Sequence, residues 1–278
     1  MDGAHVARDV AATTADFATG ARRDGTRAVP VEMPIEIVYA PVPFAVMMAT
    51  PADLEDFALG FSFTEGIVDS AADVRDMRVT DVEGGIRLEL SLAADKMQRH
   101  LARGRAISGR TGCGLCGISD ISALPQAEPA PERRTVSLGA IDAALRALDA
   151  AQPLNALTRA VHGAAFADLD GRLVAVREDV GRHNALDKLI GALLRAGQNP
   201  ADGFIVITSR CSFEMVEKAA RFGAHTLVAI SAPTSLAIER AQRYGLSLVA
   251  LARRDNAQIF NASAQILDAS VSVDRATR

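Results

Sequence analysis

Apolar and β-branched side chains crowd into two short runs, residues 31–39 and 44–49, with Pro41-Val42-Pro43 between them, and this pattern predicts a hairpin. Thr50 as a cap, Pro51 at the first helical position and Asp53 in the third place predict a helix start immediately afterwards. Leu54, Phe57, Ala58 and Phe61 then recur at helical spacing, and Gly60 and Gly66 mark the end region. A second hairpin is predicted from residues 77–82 and 86–92 around Glu83-Gly84-Gly85, followed by a short helix over 95–102. Residues 1–27 carry no sustained period and are expected as a mobile tail. In the second half a helix over 141–148 leads to a hairpin of 164–169 and 173–176 joined at Asp170-Gly171. Beyond it helix and strand patterns alternate: a helix from Asn184, a strand at 204–208, a helix at 213–222, a strand at 226–230, a helix at 236–244 and a strand at 246–251. That progression predicts an α/β sheet of largely parallel strands with helices on both faces. No internal repeat and no long low-complexity tract interrupts it.

The 278 residues fit one large domain or two ordinary ones at roughly 150 residues each. Pro125, Pro129 and Pro131 lie in a polar stretch, 125–134, expected as a linker between a smaller α/β domain (28–124) and a second domain (135–278). With 49% apolar and 23% charged residues the bulk of the chain belongs to the globular class rather than the disordered or fibrous ones. A net charge of −4 provides no basic field for nucleic acid or for an anionic membrane, and 4% aromatics without tryptophan leaves no stacking platform. Three cysteines, an odd and sparse set, argue for free thiols in a reducing compartment. With no basic leader and no apolar window of ~18 residues, a cytoplasmic, unprocessed chain is expected.

The strongest chemical signal is Cys113-x-x-Cys116 inside Gly109-Arg110-Thr111-Gly112-Cys113-Gly114-Leu115-Cys116-Gly117, a stretch too rich in glycine for a helix or strand interior. A structural zinc site needs four Cys or His ligands, and no second Cys-x-x-Cys or His-x-x-x-His accompanies the pair. A thioredoxin-like pair sits at a helix start after a strand, where the helix end lowers the thiol pKa, and no strand precedes these cysteines. A mobile arm carrying a nucleophilic thiol fits best, and Arg110 would favour the thiolate. Burial of two cysteines in a core is poorly served by glycine on both sides. Gly112-x-Gly114-x-x-Gly117 matches a dinucleotide fingerprint literally but lacks the strand before it and the helix after it.

Two further segments stand at predicted strand-to-helix turns. Glu178-Asp179-Val180-Gly181-Arg182-His183-Asn184 offers backbone N–H groups at a helix start, suited to an anion, and reads equally well as a solvated cap with Asn184 or His183 capping. Thr208-Ser209-Arg210-Cys211-Ser212-Phe213-Glu214 repeats that arrangement, so the two turns would line one crevice at the carboxyl ends of neighbouring strands. Cys211 reads as a packed small residue, and His162 at a strand start as either functional or structural.

Taken in order, ATPADLEDFALGFSFTEGI (49–67), TGCGLCG (111–117), EDVGRHNALDKL (178–189), SRCSFEMVEKAA (209–220) and SAPTSLAIERAQRYGLSLVALARR (231–254) resemble the FdhD family, the sulfur-carrier proteins needed for formate dehydrogenase activity. The resemblance runs from about residue 31 to about residue 260. It implies a cytidine-deaminase-like α/β/α second domain behind a smaller α/β domain, a cytoplasmic homodimer, and sulfurtransferase activity through a cysteine persulfide. Sulfur would pass from a cysteine desulfurase to the molybdenum cofactor, in its bis(molybdopterin guanine dinucleotide) form, before that cofactor enters formate dehydrogenase. By the same resemblance Cys113 is the persulfide cysteine and Cys116 its partner, and Leu251, Ala252, Arg253, Arg254, Asp255 and Asn256 form the cofactor-contacting segment after the last strand. The guanine-nucleotide phosphates would meet the turns at 182–184 and 209–212, with Arg253 and Arg254 neutralising charge. The residues agree with this on one independent point. A zinc deaminase needs His-x-Glu and Pro-Cys-x-x-Cys, yet none of His5, His100, His162, His183 and His225 has Glu two residues on, and no proline precedes Cys113. No catalytic metal is therefore expected. The alternatives are a non-catalytic cofactor-binding chaperone and a thiol-disulfide oxidoreductase.

Overall fold

A computed structural model describes residues 6–104, 126–253, 256–262 and 266–267. In chain order the elements are β1 (Ala7–Ala15), β2 (Arg22–Pro30), β3 (Met33–Tyr39), β4 (Val42–Ala49), α1 (Leu54–Thr64), β5 (Val74–Val82), β6 (Gly85–Leu92) and α2 (Ala94–Gly104). After residue 126 come β7 (Val136–Ser137), α3 (Leu138–Leu148), α4 (Pro153–Thr158), β8 (His162–Asp168), β9 (Leu173–Asp179), α5 (Arg182–Arg195), β10 (Gly203–Ile207), α6 (Phe213–Phe222), β11 (Thr226–Ala229), α7 (Ser235–Tyr244), β12 (Ser247–Arg253), β13 (Asn256–Asn261) and β14 (Ile266–Leu267).

Both hairpins of the first half form, and they join into one four-stranded sheet, β4-β3-β6-β5, by parallel pairing of β3 with β6. The second sheet has the order β13-β12-β11-β10-β8-β9. Only the β10–β11 and β11–β12 pairs are parallel, so the largely parallel sheet expected from the alternation is corrected to a mixed one. The cause is local: β8 and β9 form a hairpin that attaches antiparallel to β10, and β13 folds straight back on β12.

Helices do cover both faces. Ala164, Phe166, Ile205, Ile207, Leu227, Ala229, Leu248 and Ala250 point to the face covered by α5, α6 and α7, and that core runs on through α1 into the four-stranded sheet. Ala165, Ala167, Phe204, Val206, Val228, Val249 and Ala252 point to the other face, where Ala140, Ile141, Ala144 and Leu148 of α3 close it. Such period-two alternation with both faces buried is what a central sheet requires.

Two glycines decide how the halves meet. On α1 and α5 respectively, Gly60 and Gly191 bring backbone against backbone: a Cβ at Gly60 would land on the Asp187 carbonyl, and one at Gly191 on the Asp56 carbonyl. A sequence reading that took Gly60 as part of a helix end is therefore corrected, since it lies inside α1 at a helix crossing. The start of α1 also falls later than the residues 50–53 suggested. Asp53 precedes the helix with φ of 52° and makes no side-chain cap bond, and the Thr50 hydroxyl accepts from the Val180 N–H rather than capping α1.

The tail expected over residues 1–27 is, from Ala7 onward, an antiparallel hairpin of β1 and β2. Asp16 Oδ1 accepts from the N–H groups of Ala18 and Thr19 and from the Thr19 hydroxyl, and Gly20 closes the turn at φ of 70°. No residue of either strand is buried, so there was no buried face to leave a period in the sequence. Arg27 ties the ribbon to the Thr158 carbonyl at the end of α4.

Candidate functional site

The carboxyl ends of β9, β10, β11 and β12 and the start of β8 share one edge of the six-stranded sheet. His162 is in register with Asp179, and Thr208 clasps Gly163 from both sides, its N–H donating to the Gly163 carbonyl and its hydroxyl accepting from the Gly163 N–H. Further along, the Cys211 N–H donates to the Ala232 carbonyl and the Leu251 N–H to the Ser231 carbonyl. Helices α5, α6 and α7 all begin from this edge, so three positive helix ends converge there.

Most of the charge in the 178–188 stretch turns out to be structural. Glu178 accepts from the Leu154 and Asn155 N–H groups and caps α4, while burial pushes its carboxyl up. Asp179, fully buried, accepts from the N–H groups of Thr50 and Gly181, from Asn184 Nδ2, and from Lys188 Nζ at 2.7 Å. Asn184 also donates to the Met48 carbonyl, and Lys188 to the Thr50 carbonyl. Asp187 pairs with Lys218 at 2.8 Å and accepts from the Thr64 hydroxyl, although burial, the largest influence, pushes its carboxyl up. The capping role open to His183 or Asn184 is corrected: Gly181 precedes α5, and neither side chain caps the helix. Arg182 and His183 alone remain for a ligand.

Among the described residues, the buried polar side-chain atoms with no hydrogen-bond partner are Gln152 Oε1, Arg182 Nε, His183 Nε2, Ser212 Oγ and Glu214 Oε2. The last four lie in the first residues of α5 and α6 or immediately before α6. His183 and Ser212 are only 9% and 8% exposed. Ser212 holds the N-cap position of α6 but makes no cap bond, although a serine there ordinarily accepts from a first-turn N–H. A buried donor or acceptor left unmade costs ~1–3 kcal/mol. Four of them lie at one edge, which makes it the candidate place for a ligand or ordered water.

His183 is held down to about 3, first by burial and then by Lys218, Arg182 and His162. His162 is also lowered, mainly by burial. An unfolded histidine takes its proton near pH 6.5, whereas folded His183 refuses it until about pH 3, so between those values the unfolded state binds the extra proton. Stability should thus be untouched by this group above pH 6.5 and fall as the pH drops below it. One proton corresponds to about 1.4 kcal/mol per pH unit. Urea unfolding of the wild type and of His183→Gln between pH 6.5 and 4 should show a shallower acid slope in the variant. Equal slopes would remove His183 as the source.

The remaining sequence candidates divide clearly. Cys211 is fully buried, and burial raises its thiol to about 12, so it is a core residue and not a nucleophile. Arg210 is exposed at the edge. Leu251, Ala252 and Arg253 are not a segment after the last strand: they end β12, and Asn256 opens β13, a strand absent from the sequence reading. The Ala252 side chain is buried on the α3 face. Leu251 sits at φ of 51° in a bulge between Ala250 and Arg253, a backbone conformation that favours glycine and that holds the chain at the candidate edge under strain. Arg253 and Asn256, paired in register, are both exposed. Arg254 and Asp255, like Cys113 and Cys116, lie outside the described residues. The chain on either side of the cysteine segment is anchored. His100 of α2 lies against the rings of Tyr39 and Phe44, and the Ala127 N–H donates to Glu217 Oε2 on α6. Among the described residues no group of His, Cys, Asp and Glu is arranged to hold a metal, and no helix is long and apolar enough to cross a membrane.

Fold and edge together define an α/β protein whose two larger sheets are joined through a glycine crossing, with a set of unpartnered buried polar atoms at the carboxyl edge of the six-stranded one. Residues 30–267 match the FdhD/NarQ family. A protein of Xanthomonas euvesicatoria pv. vesicatoria named sulfur carrier protein FdhD is 48% identical over 88% of this chain and 87% of its own length. Another of that name from Agrobacterium fabrum is 46% identical over 89% and 92%. A crystal structure described as that of a formate dehydrogenase accessory protein, from Desulfotalea psychrophila, superposes with a TM-score of 0.72 at 27% identity, covering 94% of this chain and all of the other. The chain belongs to the FdhD/NarQ family.

Proposed function

We propose that the protein is a sulfur carrier for formate dehydrogenase maturation. The observation that carries this reading is the Cys113-x-x-Cys116 pair in a chain nearly half identical, over most of its length, to proteins named sulfur carrier protein FdhD. The Cys113 thiolate attacks the sulfane sulfur of a cysteine desulfurase persulfide; a new S–S bond forms on Cys113, and the desulfurase cysteine leaves as thiolate. The Cys116 thiolate then attacks the inner Cys113 sulfur, a Cys113–Cys116 disulfide forms as the persulfide S–S bond breaks, and the outer sulfur leaves at the sulfide level for the molybdenum cofactor, the substrate, in its bis(molybdopterin guanine dinucleotide) form, before insertion into formate dehydrogenase. The acceptor is held at the sheet edge, where Arg182, His183, Ser212 and Glu214 have buried atoms without partners. Helices on both faces of a six-stranded sheet support the deaminase-like reading of the second domain. A homodimer working in the cytoplasm completes the proposal.

The test is intact mass after incubation with a cysteine desulfurase and cysteine. Wild type should take up one sulfur, and Cys113→Ala none. No uptake by the wild type beside a demonstrably active desulfurase would overturn the carrier role and favour a chaperone that only binds cofactor.

A further inference from the structure

Glu217, in the middle of α6, is only 7% exposed and has no part in the sulfur chemistry above. Its Oε1 accepts from the Tyr244 hydroxyl at 2.6 Å and lies 3.4 Å from Arg240 Nη1, both on α7. Its Oε2 accepts from the Ala127 N–H at 3.1 Å. An apolar side chain would pack α6 on α7 without the cost of desolvating a carboxylate, and burial does push this carboxyl up. What the carboxylate adds is a hold on Ala127.

Ala127 stands where the chain returns after Cys113 and Cys116. It is half-buried, whereas residues 128–135 are exposed apart from Ala130, and the next buried residue is Val136 of β7. The neighbouring bond from Arg243 to the Gln126 side chain is exposed. Glu217 is therefore the buried hold on this end of the cysteine segment. The other end leaves α2, which Lys96 fixes to Asp69 and Asp73 and Arg99 fixes to Asp69. Asp69 in turn lies 3.7 Å from Arg221, four residues beyond Glu217 on the same side of α6. One face of α6 thus meets the hold at one end directly and the hold at the other through Asp69. That face is near the sheet edge, because Glu214 in the first turn of α6 precedes Glu217 by only ~4.5 Å of helix rise.

We propose that Glu217 is a positioning residue for sulfur transfer: by taking the Ala127 N–H it pins the chain that follows the cysteine pair to α6 and raises the effective concentration of Cys113 at the sheet edge. The proposal rests on the sulfur-carrier reading for the chemistry that the pin serves. Without the pin the tethered span runs on from residue 126 to residue 135, and effective concentration falls with at least the three-halves power of span length.

The experiment measures that concentration directly. Arg210→Cys puts a thiol on the exposed edge, Cys116→Ser leaves Cys113 as its partner, and Cys211, buried with its thiol at about 12, does not compete. In buffers of oxidised and reduced glutathione the two thiols close to a disulfide as one oxidised glutathione becomes two reduced ones, and intact mass reads the fraction closed. Adding Glu217→Leu should lower the effective molarity by about twofold or more. Glu217→Gln should restore it, since the amide oxygen still accepts from Ala127 and the amide N–H still meets the Tyr244 hydroxyl. Ala127→Pro removes the N–H and leaves the Glu217–Tyr244–Arg240 contacts alone, so it should match Glu217→Leu, and it decides the matter at a surface position if the leucine variant does not fold. Tyr244→Phe should leave the effective molarity unchanged. A loss in Glu217→Leu without one in Ala127→Pro would reduce Glu217 to a packing residue and overturn the proposal, as would closure that no variant alters or no closure at all. In the otherwise native chain, Glu217→Leu should take up sulfur from the desulfurase at the wild-type rate, because uptake needs no contact with the edge; equal loss of uptake would also overturn it. Failure of the wild type itself to take up sulfur sinks the carrier reading instead, and the disulfide measurement is independent of that result.

Discussion

Lys188→Met should lower the unfolding free energy by about 3–5 kcal/mol, the usual consequence of removing one partner from a buried ion pair. Lys188 and Asp179 are both fully buried at 2.7 Å, and the lysine also donates to the Thr50 carbonyl. Methionine keeps the length and the apolar stem, so the loss isolates the charge. Without the ammonium, Asp179 stays buried with three neutral donors, the N–H groups of Thr50 and Gly181 and the Asn184 amide. Thr50 stands between β4 and α1, whereas Asp179 ends β9, so the pair clamps the four-stranded sheet to the edge of the six-stranded one. Chemical denaturation monitored by circular dichroism would measure the effect. A variant within 0.5 kcal/mol of wild type, at roughly the scatter of ordinary surface changes, would show that the clamp does not depend on the charge.

Gly60→Ala should destabilise by about 1–3 kcal/mol or more, in spite of alanine being the better helix former by ~1 kcal/mol. The new methyl group meets the backbone carbonyl of Asp187, which cannot rotate away as a side chain would, so α1 and α5 must separate along their crossing. Separation would disturb Asp187 with its Thr64 and Lys218 bonds. Gly25→Ala serves as the control, because a Cβ there meets nothing within 4 Å. Thermal melts in which the two variants shifted equally would contradict a backbone-on-backbone crossing.

Legibility in the sequence followed burial. Most strands of the two central sheets, and helices α3, α5, α6 and α7, stood out through their apolar positions, as with the buried Leu186, Leu189, Ile190 and Leu193 on α5. The β1–β2 ribbon buries almost nothing and left only its turn residues, Asp16, Thr19 and Gly20, as a signal. Strand β13 was hidden for a related reason, since it pairs at the sheet's edge with exposed residues at Asn256, Gln258 and Ile259. The candidate site was legible as two chemistry-bearing turns and not as a set of roles. Nothing in their spacing tells that Asp179 and Lys188 both bond Thr50, that Asn184 bonds Met48, or that Asp187 bonds Thr64 and Lys218. Glu214 has no distinctive role by sequence alone, because a glutamate in a first helical turn ordinarily answers the helix dipole.

The sequence by itself determined most elements of the two larger sheets, the family and the presence of a Cys-x-x-Cys pair, because periodicity, turn residues and cysteine spacing are local properties. Tertiary structure alone decided the strand directions, the crossing of α1 on α5 at Gly60 and Gly191, and the division of the polar residues. Asp179 and Lys188 went to a buried clamp, whereas His183, Ser212 and Glu214 were left without partners at the sheet edge. The reason is that a polar side chain's role depends on which donors and acceptors burial leaves beside it. Those neighbours come from segments more than a hundred residues away in the chain.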